Sequence, residues 1–335
     1  MTDGTRFALL LALLGLIVAG LFMASLLVGP AALDWGESLR ALVVGDSERE
    51  AVTLVMREIR LPRAVLGLMV GTSLGLSGAV LQGYLRNPLA EPGLIGISAS
   101  ASLGAVLAIY TGLAAALPLA LPLLALGGAL VAVAVVFAMA GARGGAMTVI
   151  LAGIAVSSLA GALVSLVLNL SPNPFAALEI VFWMLGSLAD RSMQHLALAA
   201  PFMLAGWAML AFVGRGLDAL TLGEDAAAAL GVRLGRLRLL AVLGTALAVG
   251  AATAVAGAIG FVGLVVPHLL RPFVGAQPSR LLPASALGGA ALLLAADIAV
   301  RLIAPDRDLK LGVLTAMVGA PFFVWLVLKT RREAV

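Results

Sequence analysis

Long apolar runs separated by polar or Pro/Gly punctuation leave this chain few folds to choose from. They fall at about 7–28, 61–81, 93–110, 113–140, 147–170, 196–213, 237–255, 259–270, 281–303 and 311–328, ten in all. The first is 22 residues long, enough to cross roughly 30 Å of hydrocarbon at about 1.5 Å per residue. It exceeds the apolar region of a cleavable signal peptide and is read as a retained helix. The run at 259–270 spans only if it borrows from the Gly-rich stretch before it. With 62% hydrophobic and 11% charged residues, the composition exceeds what any soluble core needs. The expected fold is an all-α polytopic membrane protein of about ten transmembrane helices, with residues 1–335 forming a single domain.

Composition also removes several chemistries. There is no cysteine, hence no disulfide framework, thiolate metal site or cysteine nucleophile. Two histidines, His195 and His268, are too few for a buried transition-metal site built by this chain alone. No catalytic residue and no metal ligand is therefore nominated. The basic residues are dispersed and no nucleic-acid motif accompanies them, so no nucleic-acid partner is expected. Membrane lipid is.

Ten spans put both termini on one side, and the positive-inside rule selects which. With the termini cytoplasmic, the inner segments hold 12 basic and 6 acidic residues and the outer ones 9 and 11. That favours cytoplasmic termini. One stretch conflicts: MREIRLPR, from Met56 to Arg63, places basic side chains at the outer mouth of the second span. Something other than the cytoplasmic bias must hold Arg60 and Arg63 there.

Glycines at Gly67, Gly71, Gly75 and Gly78 line one helix face and suit close helix packing in lipid. Arg63, Gly71, Thr72 and Leu74 recur faintly as Arg236, Gly244, Thr245 and Leu247, which suggests an inverted repeat. Asp297 precedes Arg301 by four residues, a spacing that suits an ion pair along the ninth span.

Four segments carry the functional signal. NPLAEPGLIGIS at 87–98 packs two prolines and two glycines into a short connection, which fixes a particular turn. FVGLVVPHLLR at 261–271, GVLTAMVGAPFFVWLV at 312–327 and RLPR at 60–63 complete the set. Together they resemble the FecCD family, the permease subunits of type II ABC importers for iron-siderophores, heme and cobalamin. The resemblance runs from about Arg60 to the end.

It implies a permease in the inner (cytoplasmic) membrane that pairs with a second copy of itself and binds two ATP-binding cassette subunits. Its metal-chelate cargo would arrive from an extracytoplasmic substrate-binding protein. The chain lacks GxxxxGK[ST], so it is a transport subunit rather than an enzyme. No cofactor is expected in it, ATP and Mg belonging to the partner ATPase.

The resemblance also assigns residues. Arg60, Arg63 and Arg301 match positions at which family permeases receive acidic groups of the binding protein, where an arginine can form a bidentate bond with a carboxylate. Contact with lipid headgroups, or local pairing with Glu58 and Asp297, is the alternative. The coupling helix corresponds to about 219–232, in the longest polar inner loop. Leu222, Gly223, Glu224, Asp225, Ala228, Leu230 and Gly231 are its candidate residues. Acidic groups favour the positive helix start, four alanines propagate it and Gly231 stops it. A solvated surface helix is the other reading.

Ser165 and Asn169, four apart on the fifth span, are candidate path residues. Phe175 and Trp183, in the apolar segment 171–187 at the outer mouth, join them. That segment is too short to span and is expected to lie in the outer leaflet, with Asn173 and Pro174 opening a helix. Gly141, Gly144 and Gly145 form a hinge-capable inner turn that by family analogy contributes to a gate, though a plain tight turn serves as well. His195 is expected to be solvated and His268 to be structural.

Ion-coupled secondary transport would need intramembrane carboxylates. Only Asp297 lies within a predicted span, and Arg301 partners it. A membrane enzyme would need a catalytic cluster, which is absent from the sequence. Ferric siderophore and heme rank first as cargo, cobalamin next.

Overall fold

The computed structural model describes residues 3–29, 34–43, 50–117, 119–141, 145–171, 173–305, 307 and 309–333. Among these residues the chain forms helices α1 (Asp3–Leu27), α2 (Trp35–Val43), α3 (Glu50–Leu54), α4 (Leu61–Tyr84), α5 (Ile97–Tyr110), α6 (Leu113–Ala116), α7 (Ala120–Ala140) and α8 (Ala146–Asn169). There follow α9 (Pro174–Met184), α10 (Met193–Ala211), α11 (Gly214–Leu220), α12 (Glu224–Ala229), α13 (Leu234–Ala256), α14 (Val262–Leu270), α15 (Pro278–Ile303) and α16 (Leu311–Glu333). Among the described residues, seven helical segments are long and apolar enough to cross a membrane. Shorter apolar helices at 97–110, 262–274 and 311–326 match the remaining runs read from the sequence. A fourth, α9, is the outer segment expected to be too short to span.

The second span begins earlier than its apolar run indicates. A continuous helix runs from Glu50 to Tyr84, 35 residues, and its turn at Val55–Arg60 is π-helical, with Leu61 N–H bonded to Met56 O. Pro62 explains the irregularity. It has no N–H to donate, and its ring crowds the carbonyl four residues back, so a wider turn relieves the clash. Pro62 thus distorts one continuous helix that begins well before the apolar run at 61–81.

Helices α4 and α13 form the centre. In the most apolar part of each, 83% and 78% of residues are buried, against 11% for α1. They are also the two helices that carry the sequence echo. α4 lies against α15 along Gly71, Gly75 and Gly289, where a Cβ on any of the three would overlap the facing backbone. Gly78 abuts Gly263 of α14 in the same way. Lipid supplies no water exclusion to drive such pairing, so backbone proximity and van der Waals contact hold it. Trp207 Nε1 donates to Ser73 Oγ at 2.9 Å, tying α10 to α4.

Two irregular segments lie inside the bundle. The 85–96 connection folds back as a 3-10 turn, Pro92–Ile95, before Gly96 at φ +79° starts α5. Leu94 and Ile95 rest on Gly153 of α8, so α5 begins within the protein and needs only 14 residues. The second segment, between α13 and α14, has Gly257 at φ +72° and Phe261 at φ +68°. Ser187 N–H donates to Ala256 O at 2.8 Å, and Gly312 N–H to Gly186 O at 3.3 Å. The break is therefore covered by the end of α9 and the start of α16, as non-helical backbone in a membrane protein requires.

Candidate docking, coupling and transport surfaces

Arg60 and Arg301, distant in sequence, converge at the end of α1, and Arg63 joins Arg301 through Asp297. The last carbonyls of a helix have no partner within it. Here Arg60 Nη1 donates to Leu26 O at 3.1 Å and Leu27 O at 2.9 Å. Arg301 Nη1 donates to Ser25 O at 2.8 Å and Val28 O at 2.6 Å, and its Nη2 to Ser25 Oγ at 2.7 Å. Asp297 is the shared anion, 2.9 Å from Arg63 Nη2 and 2.9 Å from Arg301 Nη2.

The i,i+4 pair expected between Asp297 and Arg301 is present, and Arg63 joins it across α4 and α15. Asp297 is 1% exposed, Arg60 4%, and the Arg301 and Arg63 side chains 6% and 19%. The basic residues at the mouth of the second span are thus held by the chain's own carbonyls and carboxylate. Arg60 turns inward instead of projecting beside Arg63, because the last carbonyls of α1 offer it acceptors.

The expected coupling segment forms two helices, with α11 preceding α12. α12 is shorter than the predicted helix because Gly223 at φ +104° and Gly231 at φ +87° bracket it. Glu224 and Asp225 occupy its first turn. Leu222, Gly223, Leu230 and Gly231 flank the helix instead of lying in it. Leu222 and Leu230 are 68% and 66% exposed while Ala227 is fully buried, so the segment is anchored by one alanine and presents two leucines and Ala228 outward. Asp218 of α11 accepts the Ser279 N–H at 2.8 Å and Gln277 Nε2 at 3.2 Å, fixing the loop to α15.

Ser165 and Asn169 share the exposed face of α8, and the Ser165 hydroxyl donates to Gly161 O at 3.0 Å. Phe175 is 79% exposed, and Asn173 Oδ1 accepts the Phe175 N–H at 3.0 Å as the helix cap. Trp183 differs: it is 8% exposed, packed inward where its carbonyl abuts Gly257. Of the inner turn, Gly141 at φ +64° closes α7 and Gly145 precedes α8, while Gly144 lies outside the described residues. Gly141 O accepts Arg238 Nη2 at 2.9 Å, and that guanidinium stands 5.8 Å from the Phe137 ring centroid.

His268 packs edge-on against Phe322 at 5.7 Å, the structural role expected of it. His195 is half-buried and caps α10, its Nδ1 3.0 Å from Ser192 Oγ. The solvated reading of His195 is corrected on that contact. Sequence reasoning missed Gln82, whose Nε2 donates to Gly263 O at 3.3 Å and whose Oε1 accepts Arg271 Nη2 at 2.6 Å. A long polar side chain inside an apolar run was the available signal.

A sequence profile of the FecCD transport family matches residues 15–329. The chain is 38% identical over 297 residues to the hemin transport system permease protein HmuU of Yersinia pestis, covering 86% of this chain and 87% of that one. It is 41% identical over 281 residues to the cobalamin import system permease protein BtuC of Halobacterium salinarum, covering 83% and 74%. A solved structure, described as an inward-facing conformation of a metal-chelate type ABC transporter, superposes with a TM-score of 0.83 at 34% identity. That match covers 95% of this chain and 98% of the other.

Proposed function

The chain belongs to the FecCD transport family, the multi-pass permeases of type II ABC importers for metal chelates; from that premise we propose that it carries an iron chelate, a ferric siderophore or heme, inward across the cytoplasmic membrane. The profile match over nearly the whole chain supports the permease part of this reading, and the likeness to a hemin permease supports the cargo. Charge balance across the spans supports cytoplasmic termini. The exposed leucines beside α12 suit docking into a groove of a partner ATPase, two of which would drive a pair of these permeases. Residues 1–335 act as one permease domain in this scheme.

At the outer end, Arg63 is the arginine an acidic partner reaches first, with 19% of its side chain exposed. Asp297, shared with Arg301, holds it from behind, and Arg60 caps α1 beside them as part of the same docking surface. Ser165, Asn169 and Phe175 supply the accessible part of the path, Trp183 supports it from within, and Gly141, Gly144 and Gly145 form the inner gate. A weakly polar lining suits a bulky chelate, which must bind without being trapped. Cobalamin remains the second reading, because a cobalamin permease is as similar to the chain as a hemin permease.

Proteoliposomes holding the chain with its companion ATPase and binding protein test the assignment. ATP-dependent uptake of a ferric siderophore or heme is expected, and weaker docking is expected of Arg63→Glu at low salt. Uptake driven by an ion gradient without ATP would sink the importer reading, and exclusive uptake of cobalamin would replace the cargo.

A further inference from the structure

Between the ends of α10 and α13, the loop through α11 and α12 leaves a cavity of about 370 Å³, within the roughly 300–1,000 Å³ of small-molecule sites. Phe212, Leu237 and Leu240 form its apolar wall, and Arg233 and Arg236 line it as well. Leu237 is buried while Phe212 is 78% exposed, so the apolar wall opens away from the bundle. Both arginines are exposed, and neither side chain makes a hydrogen bond or ion pair among the described residues. Asp218 is engaged by Ser279 and Gln277, Arg238 turns to Gly141, and Glu224 and Asp225 do not line the cavity.

Two uncompensated cations beside an open phenyl ring match an amphiphile with an anionic head. Basic pockets between helices at the cytoplasmic boundary have this character. We propose that the cavity holds the headgroup of an anionic phospholipid of the inner leaflet, its phosphate between Arg233 and Arg236 and an acyl chain along Phe212 and Leu240. The proposal rests on the inward placement of this loop argued above. A bound lipid would brace the end of α10 against the start of α13, on either side of the coupling segment.

Native mass spectrometry of the full chain in detergent tests it, with phosphatidylglycerol and phosphatidylcholine as probes. Phosphatidylglycerol is expected to be retained preferentially. Arg233→Gln with Arg236→Gln should weaken retention by about 25-fold, roughly five-fold per arginine, and Arg233→Lys with Arg236→Lys should keep most of it. Phe212→Ser should weaken lipid retention as well. Equal retention of both lipids, or of phosphatidylglycerol by the glutamine variant, would overturn the site. Displacement by millimolar inorganic phosphate together with no effect of Phe212→Ser would make it a free-anion site and overturn the lipid assignment. So would loss of ATPase co-purification in the glutamine variant with lipid retention unchanged, which would assign the arginines to the ATPase contact. Failure of ATP-driven uptake with lipid retention intact would count against the importer reading alone.

Discussion

At the residue scale, Asp297 is the side chain on which most depends. It is 1% exposed and within 3 Å of two arginines, so removing its charge strands two partly buried cations. Breaking a buried pair from one side typically costs about 3–5 kcal/mol. Asp297→Asn is expected to lose stability on that scale in detergent unfolding. Arg63→Gln should lose only about 1 kcal/mol, since Arg63 is partly solvated and Arg301 still neutralises the acid. Equal destabilisation by the two variants would show that Asp297 is not the hub. The i,i+4 half of this arrangement was legible from spacing alone. The Arg63 half was not, because its partner lies 234 residues away.

Element boundaries obeyed local chemistry wherever a special residue set them. Asn173 and Pro174 announced α9, and two glycines bounded α12. The six-residue length of α12 makes it dependent on its neighbours, since a helix this short does not persist alone in water. Proline at Ala227 removes a backbone donor and crowds the preceding turn, at about 3 kcal/mol. Ala227→Pro is expected to leave the protein in the membrane while abolishing substrate-stimulated ATP hydrolysis in the assembled transporter. Full transport by that variant would make the segment a surface loop. The π turn before Leu61 was not read from the sequence: a proline can end a helix or widen it, and which occurs depends on what covers the turn.

For the whole molecule, orientation is the property on which docking, coupling and lipid binding all depend. The chain has no cysteine, so single introduced thiols report sidedness directly. Gln194→Cys, exposed at the start of α10, should react with an impermeant reagent from outside. Thr221→Cys, exposed between α11 and α12, should react only after the membrane is opened. Labelling of Thr221→Cys from outside would invert the topology and remove the coupling assignment with it.

The sequence by itself determined that the chain is a helical membrane protein, roughly where each span runs, and its family. These properties are local: hydrocarbon thickness sets the length of an apolar run, and prolines and glycines punctuate it. Tertiary structure alone decided that Arg60 caps α1, that Trp183 packs inward, and that the 85–96 connection folds back against α8. Each of these depends on an acceptor, a cavity or a small-residue surface supplied by a helix far away in the chain. Their energies arise only when the bundle assembles, so no stretch of sequence contains them.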